Sequence, residues 1–476
     1  MSNQVKVIIS FATEDFVTPE HDEILIRLAE GLSRRGLVGN FHLTGQMARA
    51  LRIRGRTDVV DALRQHEIGY HSNTHGASPF LAGILEDNTW DEGLAKVLPT
   101  EAKGLRDVEE LIGKRAQYYT LEFIKAPQLI HAVRLLGIRQ LGFSAIPTFG
   151  RAAVWMAGVL CCGNQLMLGI EAAPDTPNRL ERMRTKFDQL YERARAGEND
   201  SVIRVFLHPY KLITPSTRSW GRINRLYMRK PLPNREWEVP QCFDADVTER
   251  LLGEHEAMLD HMVSRGRVSF EPMSVLASMY AERRPTSVPL TTVATLAKAV
   301  SDRPTASVVD GVSYSPAEIY GLTMGALSHY VRASILPDVV PLRFRLGPVY
   351  NPAPPDEDQA VITSNFLQAC VLEDERYDFH DRMSSGFKCA GIYIGSGTAL
   401  AAAARLLQGM VGPEDLPEHV AIRPKKNLPE AADEAYFQEQ TFYREGVYPE
   451  GFTGEAICRD CRLQSWSVRP AVRASS

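Results

Sequence analysis

The chain lacks any apolar run long enough to cross a bilayer, which takes about 20 residues of helix. It also lacks a charge imbalance: 54 Lys and Arg against 58 Asp and Glu leave a net charge of −4 over 476 residues. Composition therefore gives no support for a nucleic-acid or acidic-polymer partner. Cysteine is scarce and odd in number, seven in all, which does not describe a disulfide framework. Nor does the sequence show a secretory leader, because Met1 is followed almost at once by the strand-like run Val5–Ile9. These absences together predict a soluble, cytoplasmic protein. What the chain does have is 44% hydrophobic residues and the length for two or three domains.

Up to about residue 283, strand-like and helix-like segments alternate. Val5–Phe11, Leu37–Leu43, Glu67–Tyr70, Thr120–Ile124 and Val202–Leu207 read as strands. Helical stretches lie between them, the first opened by Thr18-Pro19 and stopped by Gly36. Repeated β-then-α units imply parallel strands with helices outside, as an open sheet or a barrel. Pro285 and Pro289 mark a linker, after which residues 291–476 have a different texture. There Asp310-Gly311 signals a hairpin, and Ser315-Pro316-Ala317-Glu318 is a capping box that starts a helix. A faint helix-then-hairpin echo links 291–332 with 397–445.

In parallel α/β folds the reactive groups gather at the carboxyl ends of strands. Four such ends carry them here: Glu14 and Asp15, His71 and His75, Lys125, and His208. Two imidazoles four residues apart, plus one carboxylate, make a three-ligand set with a position left open for water. That is the donor pattern of a catalytic divalent metal site, zinc above all. A second carboxylate could then take a proton from the water, and a histidine could protonate the leaving group.

The same residues, in the same order, resemble the polysaccharide deacetylase family, carbohydrate esterase family four. The motifs are Thr13-Glu14-Asp15, Asn40-Phe41-His42-Leu43-Thr44-Gly45, Glu67-Ile68-Gly69 before His71-Ser72-Asn73-Thr74-His75, Lys125-Ala126-Pro127 and Leu207-His208. The resemblance implies a distorted (β/α) barrel over residues 1–283; the different texture of 291–476 reads as a smaller accessory α/β domain. It implies hydrolysis of an N- or O-acetyl group on a sugar, with a non-sugar amide as the competing substrate. It implies Asp15, His71 and His75 as metal ligands, Glu14 as general base, His208 as general acid and Lys125 beside the base. The chain departs from the family pattern in three places. Glu14 and Lys125 stand where aspartate and arginine are usual, and no Asp-Trp pair follows Gly142. These departures also admit a sugar-binding protein without catalysis.

Residues 201–235 contain Arg204, Lys211, Arg218, Arg222, Arg225, Arg229, Lys230 and Arg235 and no acid, with Trp220 and Tyr227 interleaved. This stretch predicts an anionic part on the small-molecule or oligosaccharide substrate.

Overall fold

A computed structural model describes residues 4–474 except 79, 122–125, 143–150, 164, 172, 216–236, 282–283, 352–356, 377–379, 413–414 and 435–451. The centre of the first part is a parallel sheet. Its strands are β1 (Val5–Thr13), β2 (Gly39–Leu43), β3 (Glu67–Tyr70), β6 (Met167–Gly169), β7 (Val202–Leu207) and β8 (Val268–Phe270). The order is β3-β2-β1-β7-β6, and β8 pairs with the start of β1. β1 is buried almost throughout, as expected of a strand covered on both faces. Beyond β3, parallel bridges Tyr70–Tyr119 and Tyr119–Leu141 carry the pairing further around. Arg204, 1% exposed on β7, reaches the Gly142 carbonyl at 2.7 Å and so ties the far end of that path to the opposite strand. This arrangement is the distorted (β/α) barrel type expected from the motifs.

β2 and β8 share one edge of β1, with β8 pairing at Val5–Val7 and β2 at Ile9–Thr13. The two strands therefore splay apart, and Asn40 fills the split. Its amide donates to Ile9 O at 2.8 Å and accepts from Met273 N at 2.6 Å, so no backbone group is left stranded there.

Helices flank the sheet: α1 (Glu20–Ser33), α2 (Gly45–Ile53), α3 (Thr57–Leu63), α4 (Leu81–Glu86), α5 (Trp90–Ile112), α6 (Pro127–Leu135), α7 (Arg179–Arg195) and α8 (Ala245–Ser264). α5 continues through Pro99 and ends at Gly113, whose φ of 74° is the left-handed cap glycine adopts without strain. α7 and a hairpin of β4 (Ala153–Met156) and β5 (Val159–Cys162) lie between α6 and β7 in the chain.

The second part holds two copies of one unit. Strands β9 (Ser287–Pro289) and β12 (Val339–Pro341) pair antiparallel, with a helix at Leu290–Ala299, a hairpin of β10 (Ser307–Val309) and β11 (Val312–Tyr314), and a helix at Pro316–Ala333 between them. Strands β13 (Gln359–Ile362) and β16 (His419–Ile422) enclose the same series: a helix at Thr363–Arg376, a hairpin of β14 (Gly386–Cys389) and β15 (Ile392–Gly395), and a helix at Ser396–Val411. Both hairpins turn on two residues of positive φ, Asp310-Gly311 at 51° and 75° and Ala390-Gly391 at 50° and 86°. The repeat is thus 287–341 with 359–422. The sequence echo lay out of register because only the first copy carries the recognisable Asp-Gly turn.

The chain then returns to the first part. Ile457 and Cys461, on the helix Glu455–Gln464, lie in the first core, and Arg469–Pro470 pair with β4. Trp466, fully buried, packs in the second core and donates its indole N–H to Asn427 O at 3.1 Å. Among the described residues, no helix is long and apolar enough to cross a membrane.

Candidate metal centre

Side chains alternate along a strand, so Glu14 and Asp15 at the end of β1 leave in different directions. Asp15 turns back on its own loop. Its Oδ1 accepts from Val17 N at 3.0 Å and Thr18 N at 3.1 Å, and its Oδ2 accepts from Thr18 Oγ1 at 2.7 Å. Glu14, one methylene longer, reaches the histidines. Glu14, His71 and His75 place one ligand atom each within 4.8 Å of one another, all three buried. The two acids thus divide differently from the expectation, with Glu14 rather than Asp15 beside the histidine pair.

The histidines do not meet on a helix face. Residues 71–75 form turns, with Ser72 at φ 62° and His75 at φ 45°. Such left-handed backbone in non-glycine residues is held by its surroundings. Ser72 Oγ accepts from His75 N at 3.0 Å, and the Glu101 carboxylate on α5 accepts from Asn73 N at 3.2 Å. Gly104 lets α5 lie against this loop, since a Cβ there would fall 2.4 Å from Tyr70 Oη and 2.7 Å from Asn73 Cα. The result is an imidazole pair with ring centroids 4.5 Å apart.

The donor set fits a divalent cation on three counts. His71 Nδ1 donates to the Thr120 carbonyl at 2.9 Å, which fixes the tautomer and leaves Nε2 as a lone-pair donor. Burial holds the pKa of His71 down at about 4 and that of His75 well below its ordinary value, so both rings are neutral. Glu14 Oε2 is buried without a hydrogen-bond partner, as suits an oxygen that serves as a cation ligand. Burial likewise pushes the Glu14 carboxyl up to about 7 and that of Asp15 up to about 6.

The two Glu14 oxygens face different neighbours: Oε2 is 3.7 Å from His71 Nε2, and Oε1 is 3.3 Å from His208 Nε2. His208 follows β7 and is gripped from behind by Glu171, which sequence reading missed. Glu171 Oε1 accepts from His208 N at 2.7 Å and from His208 Nδ1 at 2.5 Å, while Oε2 accepts from Lys211 Nζ at 2.5 Å. Burial alone would lower the His208 pKa, but the Glu14 and Glu171 carboxylates outweigh it and raise the value overall. Burial opposes ionisation of Glu171 too. His208 and Lys211 overcome it and hold that carboxyl at about 2. The signal for Glu171 was an acid directly after the apolar run Leu166–Ile170, of which only Met167–Gly169 forms a strand.

His42, at the end of β2, stands behind the pair. Its Nδ1 lies 2.9 Å from Thr120 Oγ1 and its ring is 6.0 Å from that of His71. Lys125 and residues 216–235 of the basic stretch 201–235 lie outside the described residues. Of that stretch's described members, Arg204 is an interior strut and Lys211 is bound to Glu171.

No family model matches the chain, and neither does any curated protein. Among solved structures it is similar to a probable polysaccharide deacetylase from Pseudomonas aeruginosa PAO1, at 12% identity over 59% of this chain and 93% of that one, TM-score 0.37. It is similar to the Puue allantoinase, at 13% identity over 60% and 93%, TM-score 0.37. It is also similar to a CE4 esterase from Streptococcus mutans, at 13% identity over 57% and 87%, TM-score 0.34.

Proposed function

We propose that this protein is a metal-dependent hydrolase that removes an N- or O-linked acetyl group from a carbohydrate. The observation that carries the reading is the grouping of Glu14, His71 and His75 beside a His208–Glu171 pair. The sugar and the acetyl group rest on the motif resemblance.

Glu14, His71 and His75 would hold the cation, most simply zinc. When bound, it would supply a water of lowered pKa and a Lewis acid for the carbonyl oxygen. Proton handling belongs to the chain's own groups. Glu14 Oε1 accepts the proton that the water loses. His208, held as a cation between two carboxylates, donates from Nε2 to the departing nitrogen or oxygen. At 3.3 Å, Oε1 and Nε2 are close enough to pass the proton back between cycles. Glu171 fixes the imidazole plane and keeps Nδ1 protonated, so the proton that moves is the one on Nε2. Asp15 shapes the turn into α1, and Lys125, on sequence grounds alone, adds positive charge near Glu14.

Metal analysis of the purified protein tests the centre: one divalent ion per chain, lost in His71→Ala and Glu14→Gln. Acetate release from a panel of acetylated saccharides tests the reaction. A second reading, sugar binding without turnover, is favoured by one feature. Asp15 is consumed by its own loop, so among the described residues Glu14 serves both as ligand and as base. Glycan binding with no acetate released from any glycan would establish that reading. Metal-free wild-type protein would sink the hydrolase, and if it still bound glycans it would favour the second reading.

A further inference from the structure

The loop that carries His71 and His75 is held from two sides. From α2, Gly45 N donates to Ser72 O at 3.0 Å and Gln46 N to Asn73 O at 2.8 Å, using donors that the first turn of a helix leaves free. Arg49 Nη1, further along α2, donates to Asn73 Oδ1 at 2.9 Å. From α5 comes Glu101, 0% exposed, whose Oε1 accepts from Asn73 N at 3.2 Å.

Ser72 O and Asn73 N belong to one peptide group. Gly45 therefore fixes the carbonyl end of that plane and Glu101 its N–H end. A planar unit held at both ends sets ψ of Ser72 and φ of Asn73. Ser72 is one of two left-handed residues in the loop, at φ 62°, a conformation that persists only where the surroundings hold it. Were this peptide to turn over, the Asn73 N–H would lose its acceptor inside the protein, and the short span from His71 to His75 would be aimed differently.

The other contacts of Glu101 serve the same end. Its backbone carbonyl accepts from Tyr70 Oη at 3.1 Å, and its Oε2 accepts from Tyr119 Oη at 3.5 Å. Tyr70 immediately precedes His71, so residues on both sides of the first ligand are bonded to Glu101. Gly104, three residues on and on the same helix face, lets α5 come this close. Burying a carboxylate is costly unless it is hydrogen-bonded, and the bonds of this one go to the loop and to the strand path beside it.

We infer that Glu101 is a positioning residue of the metal centre, which locks the Ser72–Asn73 peptide in the orientation that brings His71 and His75 to one cation. This role rests on the metal-centre reading proposed above, and Glu101 acts through Asn73 rather than on substrate. Glu101→Met keeps the length of the side chain and removes the acceptor, whereas Glu101→Gln keeps an acceptor without the charge. Zinc affinity, measured by competition with a chromophoric chelator, should fall about tenfold or more in Glu101→Met and stay within about threefold of wild type in Glu101→Gln. Val108→Ala opens a hole on the same helix two turns further along, so it should lower stability and leave zinc affinity unchanged.

A second readout needs no metal. Amide hydrogen exchange at Asn73 should be slow in wild type and Glu101→Gln and fast in Glu101→Met. Nitrogen-15 shifts of the His71 ring should report Nδ1–H in the first two and mixed tautomers in the third. Zinc affinity of Glu101→Met within about threefold of wild type overturns the role. So does an equal fall in Val108→Ala, which would make the effect one of stability alone. Fast exchange at Asn73 in folded wild type overturns it without any variant. Wild type that binds no zinc sinks the metal-centre reading, and the locking of the loop then stands or falls on Asn73 exchange and the His71 ring, where no difference between wild type and Glu101→Met refutes it.

Discussion

Replacing Glu171 by Gln removes one negative charge from between two cations and leaves the shape almost unchanged. Three contacts are affected: His208 N at 2.7 Å, His208 Nδ1 at 2.5 Å and Lys211 Nζ at 2.5 Å. Turning a charge-assisted hydrogen bond into a neutral one costs about 1 kcal/mol, and the amide would also present an N–H to Lys211. The sum is about 3 kcal/mol of folding stability at neutral pH. The depression of the Glu171 pKa by His208 and Lys211 points to the same size. A carboxyl held at about 2 in the folded protein, against 4.5 when unperturbed, corresponds to ~3 kcal/mol.

The sign follows from the direction of that shift. A depressed pKa means that the unfolded chain takes up the proton first as pH falls. The stabilisation is therefore complete above 4.5 and lost as pH drops towards 2. Denaturant unfolding of wild type and Glu171→Gln across this range should show a gap of about 3 kcal/mol at pH 7 that closes with acid. Nitrogen-15 NMR of the His208 ring should show its pKa lower in the variant, because burial is then opposed by Glu14 alone. A gap below about 0.5 kcal/mol at pH 7, with the His208 titration unmoved, would refute the role given to Glu171.

Asp15→Asn should lower stability by about 1 kcal/mol while retaining bound metal, whereas Glu14→Gln should lose metal. Metal content after dialysis, read beside unfolding curves, separates the two acids. Trp466→Ala empties a fully buried indole site in the second core and should cost about 3–5 kcal/mol. Because residues 455–470 return to the first core, limited proteolysis of that variant should cut on the tail side of residue 422 faster than in wild type.

Much of the fold was legible, because local rules and tertiary packing agree there. Glu67–Tyr70 and Val202–Leu207 are strands with the bounds read from sequence, since β-branched and aromatic residues sit between turn residues. The capping box at Ser315 opens its helix, with Glu318 N donating to Ser315 Oγ at 3.2 Å. Three things were not legible. β6 was too short to carry a period. The second copy of the repeat replaced Asp-Gly by Ala-Gly at its turn. The crossing of residues 455–470 back to the first core leaves no local mark at all.

The candidate site divides the same way. The sequence by itself determined that two histidines, two acids and a third histidine lie at the ends of parallel strands, because strand polarity alone puts those ends on one side of the sheet. It could not determine which acid meets the histidines. That depends on the direction in which β1 ends and on Thr18, whose hydroxyl and backbone N–H capture the shorter acid and leave the longer one to reach inward. It could not supply Glu171 either. A partner for His208 is chosen by proximity across the sheet, between β6 and β7, 37 residues apart along the chain. Residue type and strand order are written locally; the pairing of charges in a dry interior is settled only when the strands are side by side.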